Sequence, residues 1–464
     1  MRELTKGSPA KVIMTFALPI IFGNLLQQLY NLADGKIVST YVGTQAFAAV
    51  GATAVIANLI IGFVNGVTQG FGIPISRCFG AGDYKNMRRY VAGSFIMTVA
   101  MTLILTVGAL LGIEGLLHIL DTPADIMEEA LQYIRIIIMG TAFISLYNYS
   151  ANILRAVGES RIPLLCLVVA VILNIFLDIL FVHTFSMGLR GAAHATNIAQ
   201  CIAGVLCMAY LLFRFRELVP KGQEWQVQRR KYQEMTVFGI SLGMMSCFVS
   251  IGTVIFQTAV NRLGTKIVTA HIAARRIEEL TNVPMLCTGM AMTTYASQNL
   301  GAGEYDRIKK GIHQAFVIVL VQGVIFTTFC WIFGHPLIRW ITSSNDTYIL
   351  DTAYRYLTRN TSFYFVLGPL FVLRCSLQGL EHKVIPVASS ILELVLKIVS
   401  TIWIVPVLGY TGVIYTEPVI WIFMTLMLIG GYVRALKQIN EAEHIKSARN
   451  TKAENEKINV DNRL

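Results

Sequence analysis

Phe79-Gly80-Ala81-Gly82-Asp83-Tyr84 returns in the second half of the chain as Leu300-Gly301-Ala302-Gly303-Glu304-Tyr305, an offset of 221 residues (301 − 80 = 221). Each copy follows an apolar run and precedes a basic cluster, Lys85/Arg88/Arg89 in one case and Arg307/Lys309/Lys310 in the other. Further out, Tyr133 recurs as Tyr356, and the loop Leu154 to Pro163 (LRAVGESRIP) recurs as Leu377 to Pro386 (LQGLEHKVIP), at an offset of 223 (356 − 133 = 223). Chance likeness among apolar helices does not give matched polar loops in the same order. The chain is a duplicated unit.

Between these loops lie apolar runs of about 20 residues, long enough to cross about 30 Å of hydrocarbon as helices. They fall near Val12 to Ile37, Phe47 to Gly70, Tyr90 to Leu111, Ala130 to Ile153, Pro163 to Val182 and Ala192 to Phe213, and then near Val237 to Leu263, Ile267 to Tyr295, Ile312 to Phe333, Thr352 to Leu373, Ile385 to Val407 and Thr411 to Val433. Of 464 residues, 55% are hydrophobic and only 14% charged, with a mean hydropathy of +0.59; soluble domains carry about a quarter charged residues. The pattern predicts an all-α integral membrane protein of about twelve transmembrane helices, arranged as two parallel six-helix lobes around a central cavity, as repeats of this kind build in transporters. Residues 1–213 are expected to form the N-lobe, 214–235 a charged linker, 236–438 the C-lobe, and 439–464 a disordered tail, since the last stretch is polar and short of aromatics. The first run shows no small-residue cleavage site and is expected to be retained as a span.

The net charge of +11 could suggest nucleic acid as a partner, but the basic residues sit in short loops between apolar runs. They alternate along the chain: Lys6/Lys11, Lys85/Arg88/Arg89, Arg155/Arg161, Arg214 to Lys231, Arg307/Lys309/Lys310, Lys383 and Arg434/Lys437, with an acidic loop (Asp121, Asp125, Glu128, Glu129) among those between. The positive-inside rule then puts both termini in the cytoplasm of a multi-pass plasma-membrane protein. The lipid bilayer, not nucleic acid, is the expected partner. The eight cysteines have no CxxC spacing, so neither a metal site nor a disulfide framework is indicated. Walker-loop, zincin and nucleophile-elbow motifs are missing, which argues against an enzyme and against ATP-driven transport by this chain alone.

A charge at mid-bilayer costs about 2.5–3.5 kcal/mol on insertion scales and so needs a partner or a task. Asn174 and Asp178 stand one turn apart in the fifth run and share a helix face. They could ligate a hard cation such as Na⁺ through oxygen, carry a proton, or form a structural pair between helices. In the eleventh run Glu393 and Lys397 are four apart and are expected to neutralise one another; Lys397 holds the repeat position of Asn174 (397 − 174 = 223), so the first lobe's ligand set is not duplicated. Glu417, Arg276 and Glu278 are further candidates for the cavity wall, where a carboxylate would favour cationic substrates, although Arg276 and Glu278 could equally form a local pair. Met244, Met245, Met285, Met290, Met292, Phe248, Phe256, Tyr364 and Phe365 gather in the second half. Methionine surfaces re-pack around varied ligands, with core or lipid-facing packing as the plainer alternative.

Phe16-Ala17-Leu18-Pro19-Ile20-Ile21-Phe22-Gly23-Asn24-Leu25-Leu26-Gln27-Gln28-Leu29-Tyr30-Asn31, running on to Asp34, resembles the first span of MATE (multidrug and toxic compound extrusion) transporters. Ala48-Ala49-Val50-Gly51, the twin G-A-G-[DE]-Y loops, Asn174-Ile175-Phe176-Leu177-Asp178, Gly191-Ala192-Ala193 and Arg276-Ile277-Glu278 resemble further motifs of that family, over about residues 5 to 435. The resemblance implies a secondary antiporter that expels organic cations or other amphipathic small molecules in exchange for Na⁺ or H⁺ by alternating access, with no other cofactor and no metal beyond Na⁺; a bacterial, monomeric exporter of cationic compounds is expected. It also implies a cation-binding cluster in which Asp34, Thr196 and Tyr133 join Asn174 and Asp178. Lys36, two residues beyond Asp34, departs from the family pattern; it either snorkels outward or weakens cation binding. The alternative within the wider superfamily is a flippase of lipid-linked saccharides, which would want a more basic central cavity.

Overall fold

The computed structural model describes residues 3–119 and 122–461; Asp121 of the acidic loop lies outside them. Twelve helical passes follow one another: α1 (Pro9–Tyr41), α2 (Thr44–Gly80), α3 (Tyr84–Ile119), α4 (Ala124–Ala156), α5 (Arg161–Thr184), α6 (Leu189–Arg214), α7 (Arg229–Asn261), α8 (Thr265–Ala302), α9 (Tyr305–Thr342), α10 (Thr347–Thr361 with Tyr364–Gly379), α11 (Val384–Leu408) and α12 (Tyr410–Asp461). Ten of these are long and apolar enough to cross a membrane on composition alone. The other two are α8, which holds Lys266, Arg275, Arg276, Glu278 and Glu279 near its start, and α10, which breaks into pieces of 15 and 16 residues. Their burial between other helices replaces the apolar surface they lack.

The duplication extends to backbone detail. Positive φ angles recur in pairs, Gly43 with Gly264, Gly82 with Gly303 and Gly188 with Gly409, each 221 residues apart (264 − 43 = 303 − 82 = 409 − 188 = 221). Gly158, at φ 81°, is matched by Glu381 at φ 67° (381 − 158 = 223), a left-handed conformation that a side chain resists. The fourth pass breaks at Gly140 and the tenth at Ser362 and Phe363. Both α5 and α11 loosen into a π-helical turn, at Ile179–Thr184 and Ser400–Ile404, a feature often found at functional positions.

Each lobe has its own apolar core away from the termini: Val38, Ile56, Ile113 and Ile134 in the N-lobe, Phe256, Ile277, Leu350 and Ile414 in the C-lobe. At the end that carries the termini the cores merge, because Leu4, Ile13 and Phe16 pack among Tyr295, Tyr364 and Leu377, and Ile73 packs on Phe238 and Leu242. Among the described residues every hydrogen bond and ion pair between the lobes also lies at that end. Ser297 Oγ donates to Ile73 O (2.8 Å), Gln298 Nε2 to Ala156 O (2.8 Å), and Leu4 N to Gln298 Oε1 (2.9 Å). Arg77 reaches across to Glu234 (2.9 Å) and to Glu381, which secures the strained turn at Glu381.

Glycine sets how closely the lobes approach. A Cβ on Gly66 would lie 2.5 Å from Leu242 O, and one on Gly70 would lie 2.6 Å from Phe238 O, so α2 and α7 cross backbone to backbone. Gly80 rests on the backbone of Gln298, and Gly301 on that of Arg77. Because 298 − 77 equals 301 − 80, this is one contact made twice about a pseudo-twofold axis. The stretch from 439, expected to be disordered, is instead helical to Asp461; Glu443 holds Lys309 (2.6 Å) and Lys446 donates to Gly303 O (3.0 Å). Residues such as Glu and Lys favour helix, and polarity alone misjudged them.

Gly80→Leu should leave both lobes folded but keep their ends apart. Spin labels at the exposed positions Lys85 and Asp306 should report a longer distance in the variant by double electron–electron resonance, whereas an unchanged distribution would show that the glycine contact does not set the closure.

Candidate functional site

In the N-lobe the polar side chains converge on one point. Asn174 and Asp178 occupy the last turn of α5 before its π-helical segment and are almost completely buried. Tyr30 and Asp34 lie one turn apart on the facing α1, Tyr133 comes from α4, and Thr196 from α6. Tyr30 Oη and Thr196 Oγ1 are 3.1 Å apart, and Tyr133 is within electrostatic reach of both carboxyl groups. A small cavity of about 10 Å³ opens between Gln27, Tyr30, Asn174, Thr196 and Gln200, room for about one water-sized particle.

What marks this cluster is unsatisfied chemistry. Asp34 Oδ1, both carboxyl oxygens of Asp178 and both amide atoms of Asn174 are buried without a hydrogen-bond partner. Buried polar atoms are nearly always paired, and a buried carboxylate without a counterion costs several kcal/mol. Among the described residues no lysine or arginine forms an ion pair with Asp34 or Asp178, and Lys36 is exposed. Such a set of oxygens can accept one desolvated cation or hold protons. The five residues expected here are therefore brought together, with Tyr30 as an added member; its spacing of one turn from Asp34 is the signal that would have found it.

The C-lobe presents the repeat-equivalent point with the opposite solution. Tyr356 stands where Tyr133 does, Lys397 where Asn174 does, and Glu417 where Thr196 does (417 − 196 = 221). Lys397 Nζ lies 3.1 Å from Glu393, 3.5 Å from Glu417 and 3.2 Å from Thr253 Oγ1. Arg275 lies 3.1 Å from Glu278 and 3.7 Å from Glu417, and Arg374 lies 3.7 Å from Glu393. Tyr356 Oη donates to Glu278 at 3.1 Å. Three acids thus meet three bases.

Glu278, Glu393, Lys397 and Glu417 share this network, but Arg276 does not. Its side chain is 55% exposed and pairs with Glu279 at 3.6 Å, while Arg275, one residue earlier, takes the buried role. Two adjacent arginines differ by about 100° around a helix, and the sequence of α8 has no clear apolar stripe to say which faces inward. Arg374, alone in an apolar run, was legible by the criterion that found Glu393. Of the methionines, Met285 and Met292 are core, while Met290 lines a larger cavity of about 160 Å³ beside the N-lobe cluster. No group of His, Cys, Asp and Glu able to hold a metal ion occurs among the described residues, whose cysteines are all free.

A family model described as MatE matches residues 19–180 and again 242–403. The probable multidrug resistance protein YpnP of Bacillus subtilis is 26% identical over 406 residues, 87% of this chain and 88% of that protein. An FAD transporter of Shewanella oneidensis is 22% identical over 396 residues, 83% and 86% of the two chains. In fold, the chain superposes on a MATE crystal structure in complex with MaL6 with a TM-score of 0.84 at 24% identity, covering 95% of this chain and 99% of that one.

The ion-pair geometry orders the effects of mutation. Lys397→Met takes the nearest base from Glu393 and Glu417, leaving each with an arginine at 3.7 Å, and should destabilise by up to about 3–5 kcal/mol, the usual cost of breaking a buried pair; Glu393→Gln, which leaves Lys397 on Glu417, should cost less. Joined in one protein the two changes restore neutrality, so detergent melting should place the double variant above Lys397→Met. A double variant melting below both single ones would contradict the network.

Proposed function

Because the chain belongs to the MatE family of multi-pass membrane transporters, we propose that it is a secondary active antiporter that exports small amphipathic molecules in exchange for Na⁺ or H⁺. The N-lobe cluster of Asp34, Asn174, Asp178, Thr196 and Tyr133 is the coupling site. The observation that carries this reading is the unpartnered oxygen set of Asp34, Asn174 and Asp178, seen beside a C-lobe in which Lys397 supplies a fixed cation at the equivalent place. An incoming cation or proton gives the N-lobe what its twin already has.

The basic loops set the termini in the cytoplasm. Lobes whose hydrogen bonds and ion pairs, among the described residues, all lie at that end correspond to an outward-facing state, and alternating access requires the Gly80/Gly301 and Arg77 contacts to part while the far ends close. Coupling runs through α1. Tyr30 and Asp34 belong to the cation cluster, while Asn24 and Gln27, two and one turns earlier, line the larger cavity. A cation that screens the repulsion between Asp34 and Asp178 draws α1 toward α5 and reshapes that cavity, the shared element that linkage between two sites requires. Both sites are built within one chain, so the monomer is the functional unit. Cationic substrates were expected because acids would face the cavity, but the C-lobe acids are each matched by a base and give no net pull on a cation. The relatives' names, a multidrug resistance protein and an FAD transporter, leave the substrate's charge open.

Asp178→Asn should abolish export driven by a Na⁺ or H⁺ gradient in proteoliposomes while melting at or above the wild-type temperature, because it removes a buried charge that has no counterion. Undiminished export by the folded variant would sink the assignment. For orientation, a cysteine at the exposed Lys221 should resist an impermeant thiol reagent in intact cells; ready labelling would reverse the topology.

A further inference from the structure

The cavity of about 160 Å³ beside the coupling cluster is walled by six amides, Asn24 and Gln27 on α1, Asn65 and Gln69 on α2, and Asn148 and Asn152 on α4. Among the described residues Arg155 is the one charged residue in its wall, and no aspartate or glutamate lines it. A smaller cavity of about 30 Å³ continues it toward the joined end of the lobes, again bounded by Gln69, Asn152 and Arg155 and again without a carboxylate. Polar atoms that are shut away from water are nearly always paired. Here the hydrogen bond of Arg155 within the protein runs from Nη1 to Asn152 Oδ1 at 3.3 Å, and its Nε is buried with no partner.

The amides around it are prepared unequally. Asn152 donates to Thr68 Oγ1 (3.0 Å), which turns its oxygen to Arg155 and holds the guanidinium in place. Asn24 and Asn148 donate to Ile20 O and Ile144 O of their own helices, each at 2.9 Å, leaving their oxygens as acceptors. Gln27, Asn65 and Gln69 make no side-chain hydrogen bond among the described residues, so both ends of each amide are available to a ligand. Across the cavity the repeat partner of Gln69 is Met290 (290 − 69 = 221), which also lines both spaces. One wall is soft and apolar; the other offers donors, acceptors and a single positive charge.

We propose that this cavity takes an organic anion, an amphipathic molecule whose carboxylate, sulfonate or phosphate pairs with Arg155, whose hydrogen-bonding body meets the amides of α1 and α2, and whose apolar side faces Met290. This rests on the export reading above and names its substrate class. A guanidinium with free N–H groups pairs with such oxyanions in two-pronged fashion, and the absence of a wall carboxylate removes the group that would hold a cation.

Two dyes on one xanthene scaffold separate the charges: fluorescein is anionic and rhodamine 123 cationic. With the full-length protein in lipid nanodiscs, fluorescence anisotropy should show tighter binding of fluorescein. Arg155→Gln should weaken fluorescein on the order of tenfold or more, the loss of one charge-assisted contact, while rhodamine 123 binds as before or better. Arg155→Lys, which keeps the charge, should retain the preference and so separates charge recognition from a folding defect. Absent fluorescein binding, a preference for rhodamine 123, or a fluorescein affinity indifferent to Arg155→Gln would each overturn the proposal. Proteoliposomes that export rhodamine 123 under a Na⁺ or H⁺ gradient while binding no fluorescein would overturn this inference alone, whereas transport of neither dye under either gradient would overturn the coupled-export reading.

Discussion

A charge in the hydrocarbon layer must be neutralised, and the two lobes meet that demand differently. In the C-lobe, Glu278, Glu393 and Glu417 are balanced by Arg275, Arg374 and Lys397 within 3.1–3.7 Å. In the N-lobe, Asp34 and Asp178 lie beside one another, and among the described residues neither forms an ion pair with a base. The lobes descend from one sequence unit, so this asymmetry has been built into matching positions. A lysine at 397 locks its cluster, because the positive charge cannot leave; an asparagine at 174 leaves a place whose charge depends on what enters. In the proposed function one lobe is a fixed frame and the other an exchangeable site.

The pseudo-twofold axis governs how such a site can be coupled to movement. Contacts made twice about the axis, Gly80 on Gln298 and Gly301 on Arg77, let the lobe ends pack or part as a unit. Packed cores are bistable more than deformable, and here the far-end cores are confined to single lobes while the near-end core is shared. The proposed rocking of the lobes would therefore disturb one end of the molecule and spare each lobe's interior. Helix α1 takes part in both regions, since Ile13 and Phe16 belong to the shared core while Tyr30 and Asp34 reach the polar cluster of the N-lobe.

Most of the architecture was legible in the sequence because it depends on hydropathy and on loops that repeat. The twelve passes follow from the apolar runs and the duplication from the repeated loops; in the N-lobe cluster Asn174 and Asp178 stand out as residues out of place in lipid, while Asp34, Thr196 and Tyr133 enter only through the family resemblance. Details of helix phase and backbone form were not legible. The breaks at Gly140 and Ser362, and the π-helical turns after Asp178 and Val399, arise from packing between helices and leave no local signature. Arg275 and Arg276 are indistinguishable until the facing helices fix which is buried. The acids of the C-lobe stand in the sequence as candidates for cavity charges, because a sequence shows that a carboxylate is present but not that three bases converge on the group. The extension of α12 to Asp461 was missed for a related reason: composition measures the want of a core, whereas Glu443 and Lys446 find partners on the neighbouring lobe end.

The exchangeable N-lobe site is tested most directly by hydrogen–deuterium exchange on the protein in nanodiscs, followed by mass spectrometry as Na⁺ is added or pH is lowered. Peptides spanning Tyr30 to Asp34 on α1, Asn174 to Thr184 on α5 and the start of α6 around Thr196 should gain protection with one of the two ions. Peptides around Glu393 and Lys397 should not respond. Protection that appears with neither ion, or that is centred on the C-lobe network instead, would contradict the assignment of the coupling site to the N-lobe.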